Sequence, residues 1–207
     1  MSLTAVNIIK VGLLILITSL HSNVANATEK SDEVFGYGKQ YVFVQSGYGF
    51  GFAFNFVGSG DGSEVKTFNT FSGYGVGISD IYADDSFFRG NFDLIWQGEF
   101  TQNFQPAGGY SVGSGLLLRY NFLANKKFVP YIEFGLGFGY LDYNLKDQSD
   151  GFVFSPQGSL GGHYFITDKV SLNGSWRVHH MSNAGSQQPN NSINTSVFSL
   201  GATYFFD

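Results

Sequence analysis

The sequence predicts an all-β protein, an eight-stranded antiparallel up-and-down transmembrane β-barrel. Three observations predict it. The composition combines 28 Gly with 23 Phe, 12 Tyr and 2 Trp, and only 13% of the 207 residues are charged, about half the usual share in a soluble domain. From about residue 40 onward, large apolar side chains recur at every second position, which in a strand puts them on one face. The segments with this alternation number eight, the smallest size common among outer-membrane barrels.

The same composition excludes other classes. The absence of Cys rules out a disulfide framework, a thiolate metal site and a thiol nucleophile. A net charge of −5 argues against a nucleic-acid partner, because such binding rests on Lys and Arg neutralising phosphates. Mean hydropathy near zero excludes a bundle of transmembrane helices. Aromatic content this high excludes a disordered chain.

Residues 1–27 read as a secretory signal peptide. Lys10 precedes an apolar run from Val11 to Leu20, and Ala25-Asn26-Ala27 supplies the small residues of a cleavage site. A run of about ten apolar residues is too short to cross about 30 Å of hydrocarbon as a helix. The remainder, residues 28–207, is a single barrel domain. Its first stretch, TEKSDEVFGYGK, is polar and predicts a loose segment or a short plug.

The strands follow in order. Segments at about 40–57 and 64–80 alternate with added glycine. Phe92, Leu94, Trp96 and Phe100 then oppose Asp93, Gln97, Glu99 and Thr101, and Leu116, Leu118, Tyr120 and Phe122 oppose Gly113, Gly115, Arg119 and Asn121. Between Phe128 and Asn144, one parity is Phe128, Pro130, Ile132, Phe134, Leu136, Phe138, Tyr140; the other holds Val129, Tyr131, Glu133 and three glycines. The segment at 152–166 is similar. Val170, Leu172, Trp176 and Val178 oppose Ser171, Asn173, Ser175 and Arg177, and Phe198, Leu200, Tyr204 and Phe206 oppose Val197, Ser199, Gly201 and Thr203. A soluble sandwich would put polar residues on the outer face. Here the bulky apolar parity fits lipid, and only a closed barrel satisfies strand edges there.

An eight-stranded barrel is filled by its own side chains, which argues against a porin. Asp93, Glu99, Arg119, Glu133 and Arg177 share the inner parity and predict an internal, mutually neutralising network. An even strand count places both termini on the periplasmic side. Short periplasmic turns are expected near Tyr82–Ser86, Ala124–Lys127 and Thr167–Lys169. Extracellular loops are expected near Gly58–Ser63, Gln105–Gly109, Lys146–Gly151 and Asn183–Ser192, the last the longest.

One stretch goes beyond barrel architecture: Arg177-Val178-His179-His180-Met181-Ser182-Asn183-Ala184-Gly185. Trp176 and Val178 face lipid, so His180 and Ser182 continue on the outer wall while His179 points inward. Polar groups facing hydrocarbon lose their hydrogen bonds to water. At i and i+2 on one strand, an imidazole and a hydroxyl are close enough to act as base and nucleophile. They lie at outer-leaflet depth, where an enzyme attacking an embedded lipid needs them. The alternative is that these residues lie in the headgroup zone, where His and Ser are ordinary. Two functions stay open on this basis: a lipid-modifying esterase, and a non-catalytic small barrel used for adhesion or as scaffold.

His180-x-Ser182-Asn183-Ala184-Gly185, followed by Pro189-Asn190 and a final strand, resembles the lipid A 3-O-deacylase family of outer-membrane acyl hydrolases. Val129-Pro130-Tyr131-Ile132-Glu133-Phe134-Gly135-Leu136-Gly137 resembles that family's fifth strand. The resemblance implies an outer-membrane serine esterase removing the 3-O-linked acyl chain of lipid A in lipopolysaccharide. Ser182 would be its nucleophile and His180 its general base. The family's acid lies twelve residues after the serine. That position here is Asn194, whose amide oxygen could still accept the imidazole N–H from the facing strand. The Asn183 amide and the Ala184 and Gly185 N–H groups are the expected oxyanion donors. The expected partners are lipopolysaccharide and the membrane of a Gram-negative bacterium, with a homodimer left open. No cofactor is expected. His163 and His179 are too scattered for a zinc site, and the Gly-Asp-Gly run at 60–62 reads as a turn rather than a calcium loop.

Overall fold

The structure, a computed structural model, describes residues 31–53, 60–83, 86–123 and 127–206. The expected signal peptide and most of the Ala124–Lys127 turn lie outside the described residues. Eight strands form one closed antiparallel barrel: β1 (Gln40–Gly51), β2 (Lys66–Gly77), β3 (Gly90–Gln105), β4 (Gly109–Phe122), β5 (Phe128–Asp142), β6 (Gly151–Phe165), β7 (Val170–Met181) and β8 (Ile193–Phe205). β1 closes onto β8 from Tyr41↔Phe205 to Gly51↔Thr195, so the sheet has no free edge. That closure pairs every strand with two neighbours, the condition for crossing a bilayer as strands.

Burial alternates residue by residue as the sequence pattern requires. On β5, Val129, Tyr131 and Glu133 are buried, while Phe134, Leu136 and Phe138 are exposed. The outer wall is a continuous apolar surface that includes Trp96, Leu116, Leu160, Trp176 and Leu200. Where a polar atom occurs on it, a neighbour satisfies it: the Trp176 indole N–H donates to Ser196 Oγ at 2.8 Å. Inward glycines make room for large inward side chains. A Cβ at Gly75 would lie 2.2 Å from the Tyr41 ring, and one at Gly161 2.4 Å from that of Tyr131.

All five charged residues expected inside do point inside, but they divide into levels. Arg119, Glu133 and Arg177 form one network at mid-barrel. Arg119 donates from Nε and Nη2 to Glu133 Oε2 at 2.9 and 2.8 Å. Arg177 Nη2 donates to Glu133 Oε1 at 2.7 Å, and Ser159 Oγ donates to the same oxygen at 2.6 Å. The guanidiniums also stack, Arg119 over Tyr131 at 4.0 Å and Arg177 over Phe71 at 4.2 Å. Asp93 is held instead by neutral donors, Asn91, Asn121 and Tyr41, at 2.6 to 3.1 Å. Glu99 stands 3.6 Å from His179 Nε2, nearer the opposite mouth.

Apolar clusters close both ends of the lumen. At the mouth carrying the termini, a short 3-10 turn, Ser31–Val34, brings Val34 and Phe35 into a cluster with Tyr41, Phe165 and Phe205. The segment before β1 is therefore a plug rather than a loose tail. At the other mouth, Val65, Leu141, Tyr143, Leu145, Val153, Met181 and Ile193 pack together. The connections depart from expectation in length. The longest at that mouth joins Gly51 to Lys66, not Met181 to Ile193, and the turn from Gly77 to Gly90 is as long as many loops. Part of the first forms a 3-10 turn at Gly60–Ser63.

Candidate active site

The candidate site lies where β7 meets β8 at the loop mouth. β7 carries Trp176, Val178 and His180 outward, and Arg177, His179 and Met181 inward. Met181 pairs with Ile193 of β8, and both are buried in the upper cluster. Those two inward anchors fix the register, which puts His180 opposite Asn194 on the outer side. His180 Nδ1 and Asn194 Oδ1 are 2.7 Å apart. With an amide oxygen facing it, Nδ1 is the ring nitrogen that donates, which leaves Nε2 directed away from Asn194. The side chain that meets His180 across the hairpin is thus an amide and not a carboxylate.

Ser182 follows β7 by one residue. Its backbone exchanges two hydrogen bonds with Phe154, at 2.8 and 3.0 Å. The ladder between β6 and β7 otherwise stops at Gln157↔His179. Pro156, which in this register falls opposite His180, has no N–H to offer. The serine hydroxyl is half-buried on the outward side. It donates to Asn190 Oδ1 at 3.3 Å and accepts the Ala184 N–H at 3.1 Å. Among the described residues, no hydrogen bond joins Ser182 to His180. The base–nucleophile contact is open, and the hydroxyl is engaged with the loop instead. Such contacts are often open in a substrate-free site and tighten on binding.

The residues expected as oxyanion donors are engaged within the loop. The Asn183 side chain is buried and committed to the loops: its amide donates to Ser149 Oγ at 2.8 Å and to the Gln187 carbonyl at 3.0 Å. Its Oδ1 accepts the Gly185 N–H at 2.9 Å. Both groups brace a turn in which Ala184 and Gly185 have φ of 55° and 80°. The N–H groups that remain beside Ser182 Oγ are those of Ala184 and of the Asn183 backbone, the latter 3.4 Å from Asn190 Oδ1. Asn190 is the residue sequence reasoning passed over. It stands in the quoted Pro189-Asn190 pair, but only the folded loop brings its amide to the serine.

That loop is held by a distant one. Gln148 bridges Asn190, Ser149 N–H donates to the Pro189 carbonyl at 2.8 Å, and Asn191 N–H donates to the Asp147 carbonyl at 2.9 Å. Ser192 N–H donates to Gln148 Oε1 at 2.8 Å. The two loops therefore continue the β6–β7–β8 sheet above the wall and fix Asn190 over Ser182. Among the described residues, no three His, Asp or Glu side chains are grouped as a metal site would need. In chemical terms the arrangement offers an oriented imidazole, a hydroxyl two residues away, and amide N–H groups beside that hydroxyl, all on the outer face.

A family model described as lipid A 3-O-deacylase (PagL) matches residues 72–203. No curated protein sequence matches the chain. Among solved structures, the crystal structure of the outer membrane enzyme PagL superposes with a TM-score of 0.54 at 20% identity, covering 79% of this chain and 98% of that one. The crystal structure of Neisserial surface protein A superposes with a TM-score of 0.55 at 16% identity, covering 81% and 97%. Likeness at this identity concerns the fold alone; the family match spans β2 to β8 and includes every residue of the site.

Proposed function

Because this chain belongs to the lipid A 3-O-deacylase family and is an outer-membrane β-barrel, we propose that it is a serine esterase releasing the 3-O-linked acyl chain of lipid A in the outer leaflet. The observation that carries the mechanism is the His180–Asn194 contact on the lipid-facing side of β7 and β8, with a serine two residues further on. Ser182 attacks the ester carbonyl as His180 Nε2 takes its proton. General-base assistance of this kind contributes about 10²–10⁴ in rate. The tetrahedral oxyanion is met by the Ala184 and Asn183 backbone N–H groups and by the Asn190 amide once its side chain turns; one such donor is worth about 10²–10³. His180 then protonates the leaving sugar oxygen, and water, deprotonated by the same imidazole, releases the fatty acid. Asn194 holds the imidazole tautomer but cannot balance its charge.

The test is mass spectrometry of lipid A from Gram-negative cells expressing the protein. Loss of one 3-hydroxyacyl chain, absent with Ser182→Ala and with His180→Ala, supports the esterase. Unchanged lipid A at high expression of folded protein rejects it and leaves a non-catalytic barrel. We also propose export by cleavage after Ala27; amino-terminal sequencing of the protein from the outer membrane should then begin at Thr28.

A further inference from the structure

The eight strands carry three Lys or Arg side chains. Arg119 and Arg177 are buried in the lumen, and Lys66 alone is exposed on the outer face. It opens β2 at the loop mouth, at the upper rim of an apolar wall. A long aliphatic stem can lie along such a wall and hold its ammonium among lipid headgroups.

The strands build a groove around it. Phe50 of β1, Lys66 of β2 and Gln105 of β3 are partners in one row. Past Lys66 the register shifts, because Thr67 pairs with Asn103 and Phe104 is passed over. The extra residue breaks the alternation, so Phe104 and Gln105 are both exposed. Bulges at barrel rims re-aim side chains in this way, and here the result is a carboxamide beside an ammonium. The groove has a volume of about 530 Å³, and its lining includes Phe50, Glu64, Lys66, Gln105 and Pro106. We propose that it binds the phosphorylated sugar headgroup of a second lipopolysaccharide molecule, one that is not the substrate.

Three observations favour that occupant. Among the described residues, Lys66 makes no ion pair, although Glu64 shares its groove. Opposite charges kept apart fit a ligand with anionic oxygens and hydroxyls together. The ammonium meets phosphate as a point charge, and the Gln105 amide adds a donor. The Glu64 carboxylate would repel a bare phosphate but accepts from sugar hydroxyls. Below the groove, Tyr48 and Phe68 form the next outward row, both exposed. A polar headgroup above and acyl chains below therefore meet matching surfaces. Finally, the row runs on through Ser196 of β8 to Val178 of β7. Lys66 is thus three strands from the β7 site, more than a third of the way round the barrel, so a lipid seated at Ser182 leaves this groove to another molecule. The assignment does not depend on the esterase reading.

The experiment counts, by native mass spectrometry, the lipids retained by the full barrel released from micelles that contain bisphosphorylated lipid A. Ser182→Ala is the parent, so that no lipid is hydrolysed. Lys66→Gln in this parent should carry one lipid A fewer, its affinity at the groove lowered about tenfold. Gln105→Ala should lower that affinity less, and it serves in place of Lys66→Gln if that does not fold. Lipid A stripped of its phosphates should be retained equally by the parent and by Lys66→Gln. The assignment is overturned if the folded variants retain as much lipid A as the parent. It is also overturned if the parent retains dephosphorylated lipid A as well as the phosphorylated form, or if inorganic phosphate at equal concentration displaces the second lipid. Failure of the esterase reading is distinguishable: a wild type no more active than Ser182→Ala, with one lipid A still lost on Lys66→Gln, rejects the esterase and keeps the groove.

Discussion

An amide faces the imidazole of His180 where the family resemblance implies a carboxylate. The geometry of orientation is kept: across the 2.7 Å contact, Nδ1 is the ring nitrogen that donates. The charge that would steady an imidazolium is not. A hydrogen bond to a charged group is worth about 1.5–3 kcal/mol against about 1 for a neutral pair, and about 1.4 kcal/mol is tenfold in rate. Asn194→Glu should therefore raise kcat by about tenfold, while Asn194→Leu should lower it. Steady-state rates on a soluble long-chain ester decide this, and no gain in the Glu variant would show that position 194 does not act through His180. Asn190 is separable by a pair of variants. Asn190→Asp keeps an acceptor for the Ser182 hydroxyl but loses the donor. If the amide serves the oxyanion, Asp and Ala should both cut kcat by on the order of 10²-fold with KM little changed. If it only aims the hydroxyl, Asp should stay near wild type.

At the scale of the strand, the site depends on inward residues that never touch it. Met181 and Ile193 face each other in register and are buried in the upper cluster, with 2% and 0% of their surface exposed. Ile193→Ala leaves a cavity there and should cost about 2–5 kcal/mol of stability, read from urea titrations of the barrel in lipid vesicles. It should also reduce activity per folded molecule, because the His180–Asn194 pairing is set by this register. An activity per folded molecule equal to the wild type would mean that the outward pair holds itself. The lattice of backbone hydrogen bonds between residues 147–149 and 189–191 acts in the same way on Asn190. Proline at 156 leaves β6 without a donor beside His180, so at this height β7 is held through β8 and through the bridge at Phe154↔Ser182.

For the whole molecule, the lumen is a packed polar core inside an apolar shell, the inverse of a soluble domain. Its centre is Glu133, buried between two arginines. Replacing one partner of such a network leaves charges buried and uncompensated, which costs about 3–5 kcal/mol. Glu133→Gln should accordingly lower the urea midpoint markedly while leaving kcat per folded molecule close to wild type, since His180 and Ser182 lie on the opposite face of the wall. A loss of activity without a loss of stability would contradict a structural role.

The eight strands, their faces and the closure of the barrel were determined by the sequence itself, because a period of two is a local property that each strand carries in full. The parity of Trp176, Val178, His180 and Ser182 was legible for that reason, and so was the match of Asn194 to Phe198 and Leu200. Tertiary structure alone decided what surrounds the serine. Asn183 looks like a donor in the linear motif but turns inward to Ser149, and Asn190 comes over the hydroxyl because Gln148 and Ser149 hold its loop. Those partners are more than thirty residues away in the chain, and loops have no repeating pattern from which such pairings could be read. The plug at Val34 and Phe35 belongs to the same class, since a polar segment shows nothing of the aromatic cluster at Phe165 and Phe205 until the barrel has brought it together.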